Sequence, residues 1–135
     1  MITGIDHIAI AVNEGNKSSN LFSRLLNKPL SHQETVEKQQ VNTYFHELGE
    51  EKTTVELLES THENSTIQKF LAKRGQAMHH IAFLCEDIEE EIKRLKKEGF
   101  EFIDEKPQQG AGNKLIVFLH PKTTEGILIE ICQKQ

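Results

Sequence analysis

Four residues of two chemical types recur along this chain. His7 lies in "IDHIAIAV" and His80 in "MHHIAFLC", 73 residues apart, while Glu56 in "VELL" and Glu130 in "IEIC" are 74 apart. Two imidazoles and two carboxylates are a ligand set for one divalent cation, suited to Co, Zn, Ni, Mn or Fe. Glu130 sits between Ile129 and Ile131, where a charge with neither partner nor metal is costly. Taken singly, a strand histidine reads as a hydrogen-bonded core or edge residue, and a strand glutamate as part of a solvated face. A duplicated core requires only its apolar positions to match, so the recurrence of both polar types at agreeing offsets is what points to a metal site. No local pattern such as H-E-x-x-H supports it, and the signal rests on the repeat.

The elements that must carry these residues follow from period and punctuation. "GIDHIAIAV" at 4–12 reads as a strand, and "SSNLFSRLL" at 18–26 as a short helix opened by a Ser/Asn cap. A polar, β-branched stretch follows Pro29. "VNTYFHELG" at 41–49 and "TTVELLES" at 53–60 read as strands joined by the charged tip Gly49-Glu50-Glu51-Lys52. "STIQKFLAKRG" at 65–75, with a Ser cap, a stripe of Ile67, Phe70 and Leu71 and a Gly stop, reads as a helical linker. From residue 78 the order begins again. A strand at 78–85 precedes a helix capped by Asp87, with Ile88, Ile92 and Leu95 as its buried stripe and Gly99 at its end. A strand near Phe100–Ile103, the Gly-rich loop "PQQGAGNK" and strands in "LIVFLHP" and "GILIEIC" complete the second copy. The chain is therefore read as one domain, 1–135, of two modules, 1–62 and 77–135, joined by a helical linker at 63–76.

Strand alternation puts His7, Ala9 and Ala11 on one face, with Ile8, Ile10 and Val12 on the other. His80 and Ala82 repeat the arrangement against Ile81, Phe83 and Cys85. The bulky face is expected to pack on a helix, and the face of His and Ala to leave room for a ligand. His79 matches Asp6 across the repeat, faces away from His80, and is expected to support the site or be structural. His32, His46 and His62 have no counterpart and are expected at exposed loop or edge positions, with His120 in a structural turn. "GAGNK" precedes a strand, so it is no phosphate cradle, but Lys114 and Lys122 are candidates to meet an anionic substrate.

Composition narrows the partners. Sixteen basic residues against 21 acidic ones give a net charge of -5, without a basic face, so nucleic acid is not an expected partner. No apolar run approaches the roughly 20 residues that cross a bilayer, and the N-terminus lacks a signal-peptide pattern, so no membrane partner and a cytoplasmic location are expected. Cys85 and Cys132 lack C-x-x-C spacing and read as small buried hydrophobes.

The doubled pattern with His, Glu, His, Glu resembles the vicinal oxygen chelate (glyoxalase/bleomycin-resistance/dioxygenase) superfamily over nearly the whole chain. "HHIAF", "GAGNKLIVFLHPK" and "GILIEI" make the second half most similar to methylmalonyl-CoA epimerases. The resemblance implies an α+β fold of two tandem βαβββ modules whose mixed sheet cups a divalent metal ion. It implies His7, Glu56, His80 and Glu130 as the ligands, two adjacent positions left for a substrate's vicinal oxygens, and a homodimer. It further implies inversion at the α-carbon of methylmalonyl-CoA or a similar acyl-CoA through a metal-stabilised enolate, with Glu130 as one of two bases. A family glutamate on the strand matching 41–48 aligns with Thr43, which is no base at neutral pH. Glu47, on the same face, is a candidate to replace it.

Other functions of the superfamily compete. A glyoxalase-type lyase acting on a thiol hemithioacetal such as the glutathione adduct would use the same ligands, whereas "GAGNKLIVFLHPK" favours the epimerase. A non-enzymatic drug-binding protein generally lacks the quartet, and a ring-cleaving dioxygenase, with two His and one carboxylate, leaves one Glu unexplained.

Overall fold

The chain builds its sheet twice with the same pattern of neighbours. The computed structural model describes residues 1–50 and 52–135, so Glu51 of the expected hairpin tip lies outside the described residues. The strands are β1 (Ile2–Val12), β2 (His32–Val36), β3 (Val41–Glu47), β4 (Thr54–Ser60), β5 (Ala77–Cys85), β6 (Gln108–Gly110), β7 (Lys114–Phe118) and β8 (Ile129–Lys134). The helices are α1 (Gly15–Leu26), α2 (Thr66–Arg74) and α3 (Ile88–Lys97). Two compact units result: His7–His79, and His80–Gln135 together with Met1–Asp6. Strand order is β2-β3-β4-β1 in the first and β5-β8-β7-β6 in the second. In each, the first strand runs parallel to the last of its module and the other pairs are antiparallel.

In the first unit both faces of the sheet are covered. Val12, Tyr44 and Leu57, with Ile10, Phe22 and Val55, form the core under α1. On the other face Ala9, Ala11, Val41 and Leu58 pack with Ile67 and Leu71 of α2. The segment expected to be a linker thus packs on Ala9 and Ala11, further along the face that carries His7. Ser65 caps α2 as expected, its hydroxyl accepting from the Gln68 N–H at 3.0 Å.

The start of α1 corrects the sequence reading. The helix begins at Gly15, three residues before the expected Ser/Asn cap, because its first N–H donates to Glu59 Oε2 at 2.6 Å. Glu59 Oε1 also accepts from Asn42 Nδ2 and the Tyr44 hydroxyl, so one carboxylate from β4 ties β3 to the helix. A Cβ at position 15 would lie 2.2 Å from Cε2 of the Tyr44 ring, which makes glycine necessary at this close approach.

In the second unit Cys85, Ile88, Ile92, Leu95, Val117, Leu119 and Ile131 form the core beneath α3. Asp87 caps that helix through the Glu90 N–H at 3.1 Å, and Met1's ammonium lies 3.4 Å from buried Glu91. The Arg94 guanidinium beside Glu91 holds its carboxyl below the usual range. The opposite face carries Ala82, Ile116 and Cys132 with Leu84 and Phe118. Residues 100–103 are not a strand; they contribute only the isolated bridge Phe102–Leu119. The missing strand, β6, lies in the stretch read as a Gly-rich loop, where Gly110 fits against Ile116 with no room for a side chain. Burial raises both thiols, Cys85 to about 11 and Cys132 further, so both are inert, free and buried as expected.

His46 is the sharpest departure from an exposed-edge reading. It is 1% exposed, with Nε2 3.0 Å from Ser19 Oγ and its ring 6.1 Å from that of Phe22. Burial lowers its pKa below the usual value of 6.5, so the folded state holds it neutral while the unfolded chain protonates it. Its contribution is present above about pH 6.5 and is lost as pH falls below that value. Unfolding free energies measured by denaturant titration at pH 7 and pH 5.5 are expected to fall on acidification by up to about 1.4 kcal/mol per pH unit from this group. The fall should be smaller in His46→Gln, which keeps the contact to Ser19, and an equal fall in the variant would rule the assignment out.

Candidate metal centre

Each unit buries one imidazole against one carboxylate in the same register. In the first, β1 and β4 pair so that Glu56 lies opposite Ala9, two residues beyond His7. His7 Nε2 is then 3.2 Å from Glu56 Oε2. In the second, β5 and β8 place Glu130 opposite Ala82, two residues beyond His80, and His80 Nε2 is 3.1 Å from Glu130 Oε2. All four are nearly inaccessible, His80 the most exposed at 8%. The third strand repeats as well: Phe45 is opposite Glu56 and Phe118 opposite Glu130, 73 residues apart. Phe118 meets the His80 ring edge-on at 5.2 Å between centroids. This Phe pair was legible in the sequence as a third coincidence at the offset of the histidines, and the reading from His and Glu alone missed it.

The donor chemistry fits a divalent cation. Imidazole nitrogens and carboxylate oxygens are both ordinary ligands of divalent transition-metal ions. Two carboxylates buried in apolar walls are costly unless their charge is compensated, which a bound divalent cation would do. All four side chains belong to groups of buried donors able to hold a metal ion.

Other expected site residues fall elsewhere. Lys114 is buried and its ammonium donates to Asp6 Oδ2, with Lys134 Nζ 3.9 Å from Asp6 Oδ1. It is therefore an internal counter-charge rather than a surface cation awaiting substrate. Lys122 is on the surface, 2.9 Å from Glu101. His79 packs edge-on against Phe70 of α2 at 4.8 Å between centroids. His120 caps a turn, its Nδ1 accepting from the Lys122 N–H at 3.2 Å. His32 and His62 are exposed as expected. Thr43 is buried, while Glu47 stands exposed at the end of β3.

The sequence matches the family model described as glyoxalase/bleomycin resistance protein/dioxygenase superfamily over residues 6–118. The chain belongs to that superfamily. It is 40% identical over 129 residues to the uncharacterised protein YqjC of Bacillus subtilis, covering 96% of this chain and 91% of that one. It is 34% identical over 131 residues to the mitochondrial methylmalonyl-CoA epimerase of Dictyostelium discoideum, covering 96% and 78%. A solved variant of Streptomyces coelicolor methylmalonyl-CoA epimerase, in complex with 2-nitronate-propionyl-CoA, superposes with a TM-score of 0.94 at 30% identity, covering 99% of this chain and 96% of that one. The fold is thus the mixed α+β glyoxalase-like fold, as the resemblance implied. Among the described residues no helix is long and apolar enough to cross a membrane.

A bound cation stabilises the fold by mass action, by about 2.7 kcal/mol at a metal concentration one hundred times the dissociation constant. Thermal melts of metal-stripped protein with added Co²⁺ or Zn²⁺ are expected to shift upward, reversibly with chelator. The shift should vanish in His7→Ala and in His80→Ala. Identical melts with and without metal would refute the centre.

Proposed function

We propose that this protein is a metal-dependent acyl-CoA epimerase that inverts the α-carbon of methylmalonyl-CoA, working as a cytoplasmic homodimer. The observation that carries this reading is the pair of buried His–Glu couples in identical register, in a chain similar along its length to methylmalonyl-CoA epimerases. His7, Glu56, His80 and Glu130 serve together as ligands of one divalent cation. When bound, that cation supplies positive charge for the negative charge that develops on the substrate's thioester and carboxylate oxygens.

The remaining work belongs to the side chains. Glu130 is one of two proton carriers, one on each face of the enolate: it takes the α-proton of one epimer, and in the reverse direction it delivers a proton to that same face. Phe118 holds the His80 ring edge-on, which fixes the direction of Nε2. Ala82, opposite Glu130, and Ile116 and Cys132, further along the same face, are buried and make the wall beside that carboxylate apolar.

Incubation with methylmalonyl-CoA in D₂O, followed by proton NMR with and without Co²⁺, tests the reading beside a methylglyoxal–thiol control. Loss of the α-proton signal and equilibration of the two epimers are expected, slowed at least about 100-fold in Glu130→Gln. Reaction confined to the methylglyoxal–thiol control would replace the epimerase reading with a glyoxalase-type lyase.

A further inference from the structure

Thr43 is 1% exposed, and its Oγ1 has no hydrogen-bond partner among the described residues. A hydroxyl buried in this way is unfavourable unless something arrives to satisfy it, such as a ligand or a proton-carrying neighbour. Directly opposite Thr43, on the edge strand β2, stands half-buried Glu34. Residues directly opposed in an antiparallel pair point to the same face, and the neighbours on either side bear this out. His32 stacks on its opposite residue Phe45 at 4.1 Å between centroids, and Val36 packs in the cluster of its opposite residue Val41. Phe45 in turn lies opposite Glu56. Glu34, Thr43 and Glu56 therefore share one face of the first unit. Glu47, the other carboxylate considered for this role, is exposed at the strand's end, where water competes for its proton.

We propose that Glu34 is the second proton carrier of the epimerisation, acting through the Thr43 hydroxyl; this rests on the function proposed above. In one direction Glu130 takes the α-proton and the C–H electron pair passes into the thioester as an enolate. The Thr43 hydroxyl then gives its proton to the α-carbon as its oxygen receives the proton of the Glu34 carboxylic acid. The enolate electron pair forms the new C–H bond, leaving Glu34 ionised and Glu130 protonated. The reverse direction uses the same groups with their roles exchanged. The carboxylate that relatives are expected to carry on β3 is thus supplied from one strand further out, with a hydroxyl spanning the gap.

The test measures exchange and inversion separately, with each pure epimer of methylmalonyl-CoA in D₂O. Loss of one of two bases leaves the other able to remove a proton and return a deuteron on the same side. Glu34→Gln is expected to exchange the α-proton of one epimer at close to the wild-type rate while inversion falls at least about 100-fold. Thr43→Val should show the same split and Thr43→Ser should restore inversion, with melting temperatures confirming that each variant folds. Exchange and inversion falling together in Glu34→Gln, neither falling, or the split occurring in Glu47→Gln instead would overturn the proposal. Wild-type protein that neither exchanges nor inverts methylmalonyl-CoA is a different result, which removes the epimerase reading itself.

Discussion

A carboxylate on a strand between apolar neighbours must be compensated, and much of this structure is arranged around doing so twice. Glu56 and Glu130 are each set opposite an alanine and two residues beyond a histidine on the parallel neighbour strand. A slip of one residue in either pairing would turn the glutamate to the opposite face and leave its imidazole without it. Removing the imidazole from such a pair leaves a buried carboxylate without its partner, which is strongly unfavourable. The residues opposite the two glutamates, Ala9 and Ala82, are both fully buried. Register and ligand set are therefore one constraint, and duplication satisfied it twice.

Outside that constraint the two copies diverge. In the first, α2 lays Ile67 and Leu71 over Ala9, Ala11 and Leu58. In the second, the corresponding strands carry Lys114 and Lys134, held by Asp6. The two glutamates thus sit in unlike surroundings despite identical backbone placement. Glu56 has Thr43 and an aliphatic cluster nearby, whereas Glu130 is followed along its strand by Cys132 and then by an ion pair. The two His–Glu couples are thus alike in register and unlike in the walls that surround them.

What could be read from the sequence follows from how far away each cause lies. The two His–Glu couples were visible because both polar types recur at one offset along the chain, and the cap at Asp87 and the stripe of α3 because their reasons lie within a few residues. The start of α1 was misplaced because the group that caps it, Glu59, is 44 residues downstream. His46 looked like an edge histidine because nothing local marks the contact with Ser19, 27 residues away. Lys114 looked available because Asp6, its partner, is 108 residues distant. Residues 100–103 carried the apolar content of a strand, but their Phe side chains go into the α3 core, and the ladder is taken up by the glycine-containing β6, whose composition argues against a strand.

That distinction also governs how far family likeness reaches. The His–Glu couples are set by duplicated local pattern plus register, so they carry over to any chain that keeps the pattern. The partners of a substrate are set by which residues the sheet brings opposite one another, and a single replacement can move a role across a strand boundary. Thr43 and Glu34 are nine residues apart in sequence and directly opposed in the sheet. Position 43 read by itself shows only a threonine, whereas the strand pairing shows a carboxylate, Glu34, on the same face one strand away. Which carboxylate shares a face with Thr43 is in that sense a property of the β2–β3 register rather than of any single position.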